Sequence, residues 1–256
     1  MKFRYNESVS KNKKYDIVSK HYINYYTDPT NIELESRKVD NFEILSYKNH
    51  SNLIITKEWD YKFENYDVIM ENKIRNIINF TEHKYDGREI SNKLKFKDSY
   101  KFMALNLSEI DKFKNHDLEE VELVRFKTKE ELEKFIEIVN SVFLEEFSDA
   151  KKFYGIFDEY KDFSELYLLR YKGEFVGTGH LTHFDNKTTV IDDITVLDSV
   201  RGKGLATFLM KSLLNICFER NQEEVYLFGS EMAINIYKKL GFKDEDFWME
   251  QLKLVY

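Results

Sequence analysis

The sequence predicts a mixed α/β protein in which helices pack on a mixed β-sheet. In the second half, strand-like and helix-like patterns follow one another as strand, helix, three-strand meander, helix, strand, helix and strand. The chain has 256 residues, of which 42% are hydrophobic, so it can bury a core without disulfides. A single cysteine fits a reducing, cytoplasmic setting, and a net charge of −7 argues against a nucleic-acid binder.

A charged segment, DKFKNHDLEE at 111–120, is the most plausible boundary between two domains. We therefore expect an accessory α/β domain over residues 1–115 and a second domain over 120–256. The first domain carries no recognisable catalytic constellation. Its predicted elements are a helix at Tyr15–Tyr26, strands at Asn41–Tyr47 and Asn52–Trp59, a helix at Tyr66–Phe80 and a strand at Tyr100–Leu107.

The second domain has clearer patterns. Thr128 and Glu131 form a capping box, Thr-x-x-Glu, which predicts the start of a helix. Lys172-Gly173 predicts a tight turn within the meander. The predicted strands are Val121–Phe126, Leu166–Tyr171, Glu174–Phe184, Thr188–Val196, Glu224–Phe228 and Phe247–Tyr256, with helices at Gly202–Arg220 and Glu231–Leu240.

The sharpest local feature is the segment RGKGLA at Arg201–Ala206, between a β-branched strand and an amphipathic helix. Two glycines before a helix allow a tight turn, and the helix N-terminus favours a phosphate group. A turn that needs glycine for geometry alone is about equally compatible. The Walker pattern is absent, and Thr207 replaces the third small residue of a dinucleotide fingerprint.

The pattern resembles the signature of the Gcn5-related N-acetyltransferase (GNAT) superfamily. The matching residues are the strand Ile191–Val196, the turn Arg201–Ala206, and a second block, AINIYKKLGF, at Ala233–Phe242. The resemblance covers the second half of the chain. It implies a GNAT-like acyl-CoA N-acyltransferase fold there, with an additional N-terminal α/β domain that could be a degenerate copy.

The resemblance also implies an acetyl-CoA site. The residues expected to bind acetyl-CoA are Ile194, Thr195, Val196, Arg201, Gly202, Lys203, Gly204, Leu205, Ala206, Ser230 and Tyr237. The amides from Gly202 to Ala206 would hold the pyrophosphate, and the backbone of Thr195 and Val196 would hold the pantetheine arm. Ser230 stands where the family often carries an asparagine, and its hydroxyl has a shorter reach and lacks the paired donor and acceptor of an amide.

By the same resemblance, Tyr237 would protonate the departing thiolate and the Val196 N–H would stabilise the oxyanion. A merely packed tyrosine is the alternative. Asp193 is the candidate base. Strand alternation sends Asp192 and Asp193 to opposite faces, and ordinary exposure is an alternative for each. Glu165 is a weaker candidate, and a water chain could replace a dedicated base.

Other residues carry simpler interpretations. His180 and His183 would lie on opposite faces of a strand, so no metal site is predicted. Cys217 is expected to be a core residue.

The predicted activity is transfer of an acetyl group from acetyl-CoA to a primary amine through a tetrahedral intermediate, on a small-molecule or peptide acceptor. No nucleic acid or membrane is expected, and a homodimer is one possibility. The alternative is a non-catalytic acyl-CoA-binding module.

Overall fold

The computed structural model describes residues 34–39, 42–47, 52–57, 74–82, 84–85, 94–114, 118–143, 164–183 and 187–254. The helix predicted at Tyr15–Tyr26 lies outside these residues, as does the segment 149–160. The chain divides into two compact units. The first is Met1–Lys101 with Asp246–Tyr256, and the second is Phe102–Glu245.

The first unit is built on strands. They are β1 (Leu34–Val39), β2 (Phe42–Tyr47), β3 (Asn52–Lys57), β4 (Ile74–Thr81), the start of β5 (Leu94–Asn106) and most of β11 (Lys243–Leu254). β1, β2 and β3 pair antiparallel, β3 and β4 pair parallel, and β4 pairs antiparallel with β11. The strands predicted at Asn41–Tyr47, Asn52–Trp59 and Tyr100–Leu107 are thereby confirmed.

The helix predicted at Tyr66–Phe80 is wrong over its described part, because Ile74–Thr81 is the strand β4. Ile77, Ile78 and Phe80 are all buried, together with Asn79 between them. A short apolar run of this kind fits a buried strand as well as a helix face. The pairing of β4 with β3 and β11 decided between them, and such long-range pairing leaves no local signal.

The second unit is a mixed sheet with helices, as the sequence predicted for residues 120–256, except that the predicted closing strand Phe247–Tyr256 falls in β11 and belongs mostly to the first unit. Its elements are the end of β5, then β6 (Val121–Arg125), α1 (Lys129–Phe143), β7 (Ser164–Tyr171), β8 (Glu174–His183), β9 (Thr188–Val196), α2 (Leu205–Glu219), β10 (Glu224–Gly229) and α3 (Ile234–Lys239). The strand order β6-β7-β8-β9-β10 follows the chain. All neighbours pair antiparallel except β9 and β10, which are parallel.

The main core of the second unit lies between the sheet and α2. Leu209, Leu213 and Cys217 of α2 pack there with Tyr167 and Leu169 of β7. By alternation, Leu166 and Leu168 of β7 face the opposite side of the sheet, where α1 contacts β7, β8 and β9. The sheet is therefore covered on both faces.

The predicted capping box of α1 is confirmed. The Glu131 N–H donates to Thr128 Oγ1 over 3.2 Å, and the Thr128 N–H donates to Glu131 Oε2 over 3.2 Å. Within the described residues, none of the helices combines the length and the apolar character that crossing a bilayer requires.

Candidate active site

The candidate site begins where β9 and β10 separate. Among the described residues, the two strands pair only through Thr188–Val190 of β9 and Glu224–Tyr226 of β10. Beyond that point Ile191–Val196 stay paired with β8 alone. A gap therefore opens between two parallel strands, and it is lined by backbone groups of β9.

The backbone of Val196 points into this gap. The Leu197 N–H donates to Val176 O over 2.8 Å, and Val196 lies opposite Gly177. In an antiparallel pair only every second residue bonds to the partner strand, so the N–H and carbonyl of Val196 face away from β8. Arg201 Nε donates to the Val196 carbonyl over 3.2 Å. The Val196 N–H is thus directed toward the gap, where the predicted oxyanion donor would be needed.

The predicted glycine turn adopts left-handed backbone at both glycines. Gly202 has φ 79° and Gly204 has φ 78°. A Cβ at Gly202 would meet no described atom within 4 Å, and one at Gly204 would meet only a Leu118 methyl at 4.0 Å. Glycine is therefore required by the backbone angles, not by contacts within the protein. The outer face of the turn is open to a ligand.

The turn ends at the N-terminus of α2. The first helical bond runs from the Phe208 N–H to Gly204 O over 3.0 Å, and no side chain caps Gly204 among the described residues. The N–H groups of Leu205, Ala206 and Thr207 therefore have no acceptor within the helix. Residues 202–204 are exposed. The helix dipole adds partial positive charge, so the turn can bind an anion through its backbone.

Two basic side chains beside the turn are directed elsewhere. Arg201 forms an ion pair with Asp198 at 2.8 Å in addition to its bond to Val196. Lys203 Nζ lies 5.9 Å from the ring centroid of Tyr171. Arg201 thus fixes the turn to the end of β9, and anion binding here depends mainly on the backbone amides.

Tyr237 is buried in α3, with 5% of its surface exposed. Its ring packs edge-on against Phe242, with centroids 5.9 Å apart. It also lies on the backbone of Gly229, because a Cβ there would come within 3.1 Å of the ring. Burial, with a smaller effect from Asp192, raises the pKa of Tyr237. The phenol therefore keeps its proton at neutral pH and can serve as a donor.

Ser230 acts through its backbone in the turn that leads into α3. Its carbonyl accepts the N–H groups of Ala233 at 2.9 Å and Ile234 at 3.1 Å. This positions α3, and with it Tyr237, after β10.

Asp193 lies in an irregularity of β9 that the sequence argument did not foresee. The register between β8 and β9 shifts between Thr178 and His180, and Asp193 has φ 51°. Thr178 Oγ1 donates to Asp193 O over 2.6 Å and stabilises the bulge. Simple alternation does not hold through such a bulge. Neither Asp192 nor Asp193 is an ordinary exposed residue, since both are half-buried.

His180 contacts the Asp193 carboxylate. Its Nδ1 lies 3.2 Å from Asp193 Oδ2, and its Nε2 lies 2.5 Å from Ser164 Oγ and 3.2 Å from Thr182 Oγ1. Sequence reasoning treated His180 only as half of a metal pattern that failed. The available signal was the alternation of polar residues Thr178, His180 and Thr182 along one face of β8.

Glu165 follows Ser164 in β7 and, by alternation, lies on the opposite face of the sheet in a saturated cluster. Arg125 Nη1 approaches its carboxylate to 2.7 Å, Tyr167 donates over 3.0 Å, His183 Nε2 lies at 3.3 Å, and Arg220 also forms an ion pair with it. Desolvation raises the pKa of Glu165, but the bond to His183 and the two guanidiniums outweigh it and lower the pKa. Glu165 is therefore a poor proton acceptor, so the structure does not support it as the base.

Cys217 and the histidines complete the survey. Burial raises the pKa of the Cys217 thiol to about 12, which agrees with a core residue and not a nucleophile. His180 and His183 have different partners, in the Asp193 and Glu165 groups respectively. Among the described residues, no three His, Cys, Asp or Glu side chains are grouped as a metal site would need.

Part of this chain matches a known protein family. Residues 132–242 match the model of the Acetyltransferase (GNAT) family. A GCN5-related N-acetyltransferase from Kribbella flavida superimposes with a TM-score of 0.63 at 13% identity, covering 96% of this chain and 97% of that one. No curated protein matches the sequence.

Two further solved structures show the same fold. A GCN5-related N-acetyltransferase from Sphaerobacter thermophilus gives a TM-score of 0.58 at 13% identity, over 83% of this chain and 80% of that one. A tandem GNAT protein from the clavulanic acid biosynthesis pathway gives 0.56 at 12% identity, over 82% and 77%. Residues 132–242, which match the family model, contain the separated strands β9 and β10, the glycine turn and Tyr237. The C-terminal region of this chain, residues 132–242, is a GNAT-superfamily domain.

Proposed function

We propose that this protein is an N-acetyltransferase that moves an acetyl group from acetyl-CoA to a primary amine. The observation that carries the proposal is the gap between β9 and β10, into which the Val196 N–H points. An amide fixed in this way can stabilise negative charge on a thioester oxygen. The match of residues 132–242 to an acetyltransferase family supports the same reaction.

Acetyl-CoA would bind along the gap and across the glycine turn. The pyrophosphate would lie on the amides from Gly202 to Ala206, which have an exposed face and, in the first turn of α2, no helical acceptor. The backbone of Ile194, Thr195 and Val196 would bind the pantetheine arm. Arg201 and Lys203 would add positive potential without direct contact, and Ser230 would offer a hydroxyl.

In the reaction, one proton leaves the acceptor ammonium for the Asp193 carboxylate. The freed amine attacks the thioester carbon, a C–N bond forms, and the Val196 N–H stabilises the oxygen of the tetrahedral intermediate. The C–S bond then breaks and the thiolate takes the proton of the Tyr237 hydroxyl. The second proton that the attacking nitrogen must lose passes through solvent to the Tyr237 phenolate, which restores the phenol, and Asp193 returns its proton to solvent. Burial raises the pKa of the Tyr237 phenol, so the phenol stays protonated until the thiolate forms.

The acceptor is proposed to be a cationic small amine or peptide, a choice that the net charge of −7 favours.

We also propose that the N-terminal half is a degenerate copy of the same fold, for which the likeness to a tandem GNAT protein is the support. We further propose a cytoplasmic setting, which the single cysteine favours because reduced thiols are typical of that compartment. The chain would act as a monomer or a homodimer.

A non-catalytic acyl-CoA-binding module is the second candidate. The observation that favours it is Ser230, whose hydroxyl has a shorter reach than the amide of the asparagine that GNAT proteins often carry at this position. Tyr237 and the open glycine turn favour the enzyme.

Two measurements test the proposal. Calorimetric titration with acetyl-CoA should give saturable binding, and its absence at high micromolar concentration would contradict both candidates. Release of free CoA thiol is then followed over a panel of primary amines, with the Tyr237→Phe variant as the control for spontaneous thioester loss. Turnover of at least one amine supports the enzyme, whereas binding without turnover across the panel supports the module.

A further inference from the structure

Three polar side chains on neighbouring strands form a hydrogen-bonded chain that ends at the bulge of β9. Ser164 of β7 contacts His180 of β8, which contacts Asp193 of β9. Ser164 is 2% exposed and His180 is 1% exposed, whereas the Asp193 side chain is 19% exposed. The chain is therefore buried at one end and open at the end beside the proposed thioester site.

The packing of this face does not require polar residues. By alternation, Ser164 lies on the same side of β7 as the fully buried Leu166 and Leu168. A buried imidazole or hydroxyl costs free energy unless it is hydrogen-bonded, and an apolar side chain avoids that cost. The polar chain is satisfied, so it is stable, but packing alone does not explain it.

The contacts place a proton on Nδ1 of His180. A carboxylate only accepts hydrogen bonds, so the imidazole Nδ1 donates to Asp193 Oδ2. On the other side of the ring, the hydroxyls of Ser164 and Thr182 both lie within hydrogen-bond distance of Nε2. His180 is thus held from both sides and points one N–H at Asp193 Oδ2.

We propose that His180 is a positioning residue that holds the Asp193 carboxylate in the orientation needed to receive the proton of the acceptor amine. Oδ2 is bound to His180, which leaves Oδ1 to take the proton, and His180 itself neither gains nor loses one. The inference rests on the proposed function of Asp193 as base. A displacement of about 1 Å in such a group can lower the rate about 100-fold, so fixing one rotamer of a carboxylate matters.

The test uses two substitutions at His180 in the full chain. His180→Leu removes the donor, and we expect kcat to fall about 10- to 100-fold while the Kd of acetyl-CoA changes less than about twofold. His180→Asn keeps an N–H near the position of Nδ1, and we expect it to recover most of the lost rate. A merely structural role would not separate these two variants by kcat at equal folded fraction.

The coupling to Asp193 is measured with a double-mutant cycle. If His180 acts through Asp193, His180→Leu should slow the Asp193→Asn variant less than about threefold. His183→Leu is the matched control, because His183 is a buried histidine of the same strand with different partners. It should lower the thermal midpoint but leave kcat of the folded protein within about twofold.

Each failure points to a different assumption. Full activity of His180→Leu, or additive effects of the His180 and Asp193 substitutions, would overturn the positioning role. An unchanged rate in Asp193→Asn would overturn the base assignment and the role of His180 with it, while turnover by wild type would still support the enzyme. Absence of any turnover by wild type would overturn the proposed function. Where His180→Leu does not fold, His180→Phe takes its place, because it keeps a ring of similar size and removes the donor; equal kcat values for His180→Phe and His180→Asn would contradict the proposal.

Discussion

The two ends of β9 place similar residues in opposite situations. At the end paired with β10, Thr189 binds His183 Nδ1 over 2.9 Å, and His183 contacts Glu165. At the end that diverges from β10, His180 contacts Asp193. Each end therefore combines a buried histidine with a carboxylate on the same sheet.

The carboxylates differ in how completely they are satisfied. The Glu165 side chain has no exposed surface and is held by two guanidiniums, a phenol and an imidazole. The Asp193 side chain is partly exposed and contacts one imidazole, in a strand whose backbone faces an open gap. A saturated carboxylate stabilises the fold, whereas one with an accessible oxygen can exchange a proton with a ligand.

The largest expected effect is on stability at the paired end. Glu165→Gln removes the buried carboxylate that pairs with Arg125 and Arg220, so we expect the free energy of unfolding to fall by about 3 kcal/mol. Urea unfolding of both proteins measures the difference. Glu122→Gln is the matched control, because its ion pair with Arg170 is half-exposed and should contribute less than about 1 kcal/mol. Equal losses would contradict a special role for Glu165.

The same residue predicts a dependence of stability on pH. The pKa of Glu165 is lowered in the folded protein, so its ionised form stabilises the fold above its unfolded pKa of about 4.3. This stabilisation is lost as pH falls through the folded pKa. Wild type should therefore lose stability more steeply than Glu165→Gln below about pH 4.3, as measured by urea unfolding at a series of pH values. Parallel curves would contradict the lowered pKa.

The next effect concerns catalysis at the open end. Tyr237→Phe removes the hydroxyl and keeps the ring that packs on Gly229 and Phe242, so kcat should fall about 100-fold with little change in stability. Steady-state release of CoA thiol measures the rate. Tyr226→Phe removes another buried phenol, one bonded to Glu224, and should leave kcat unchanged. A similar rate loss in both variants would assign the effect to packing.

A smaller effect is expected on cofactor affinity. Gly204→Ala strains a residue with φ 78° and should shift the amides at the start of α2, so the Kd of acetyl-CoA should rise about 10-fold, equal to about 1.4 kcal/mol. Calorimetry measures it. Gly173→Ala carries the same strain at φ 84° in the turn between β7 and β8, with no described atom within 4 Å of the added Cβ. It should leave the Kd unchanged. An equal change in Kd for both would remove the turn from the binding site.

The smallest effect tests the bulge itself. Thr178→Val removes the hydroxyl that donates to Asp193 O and lies 2.6 Å from Thr195 Oγ1. We expect kcat to fall about threefold and the free energy of unfolding to fall by about 1 kcal/mol. Thr189→Val, at the paired end, should lower stability alone. A rate loss confined to Thr189→Val would reverse the roles assigned to the two ends.

Local features of the candidate site were predictable from the sequence. The glycine turn, the capping box of α1 and the turn at Lys172-Gly173 each depend on the conformational preferences of a few adjacent residues, and all three form as expected. The resemblance to GNAT proteins rested on the glycine turn and on two other short segments, Ile191–Val196 and Ala233–Phe242. These features are visible in sequence because the residues that interact are close together in the chain.

Long-range features were not predictable in the same way. The helix expected at Tyr66–Phe80 became strand β4, and the regular strand expected at Asp193 contains a bulge. Glu165, a weak candidate for the base, became the centre of an ion-pair cluster whose partners come from β6, β7, β8 and the residue that follows α2. In each case, the deciding contact joins residues far apart in the chain.

The sequence by itself therefore determined the order of elements in the second half, the conformation of the glycine turn and the family of residues 132–242. Only the tertiary structure decided which of the two carboxylates, Glu165 on β7 or Asp193 on β9, is saturated and which keeps an accessible oxygen. The physical reason is that backbone conformation follows from neighbouring residues, whereas burial and the number of hydrogen-bond partners depend on which strands the fold brings together.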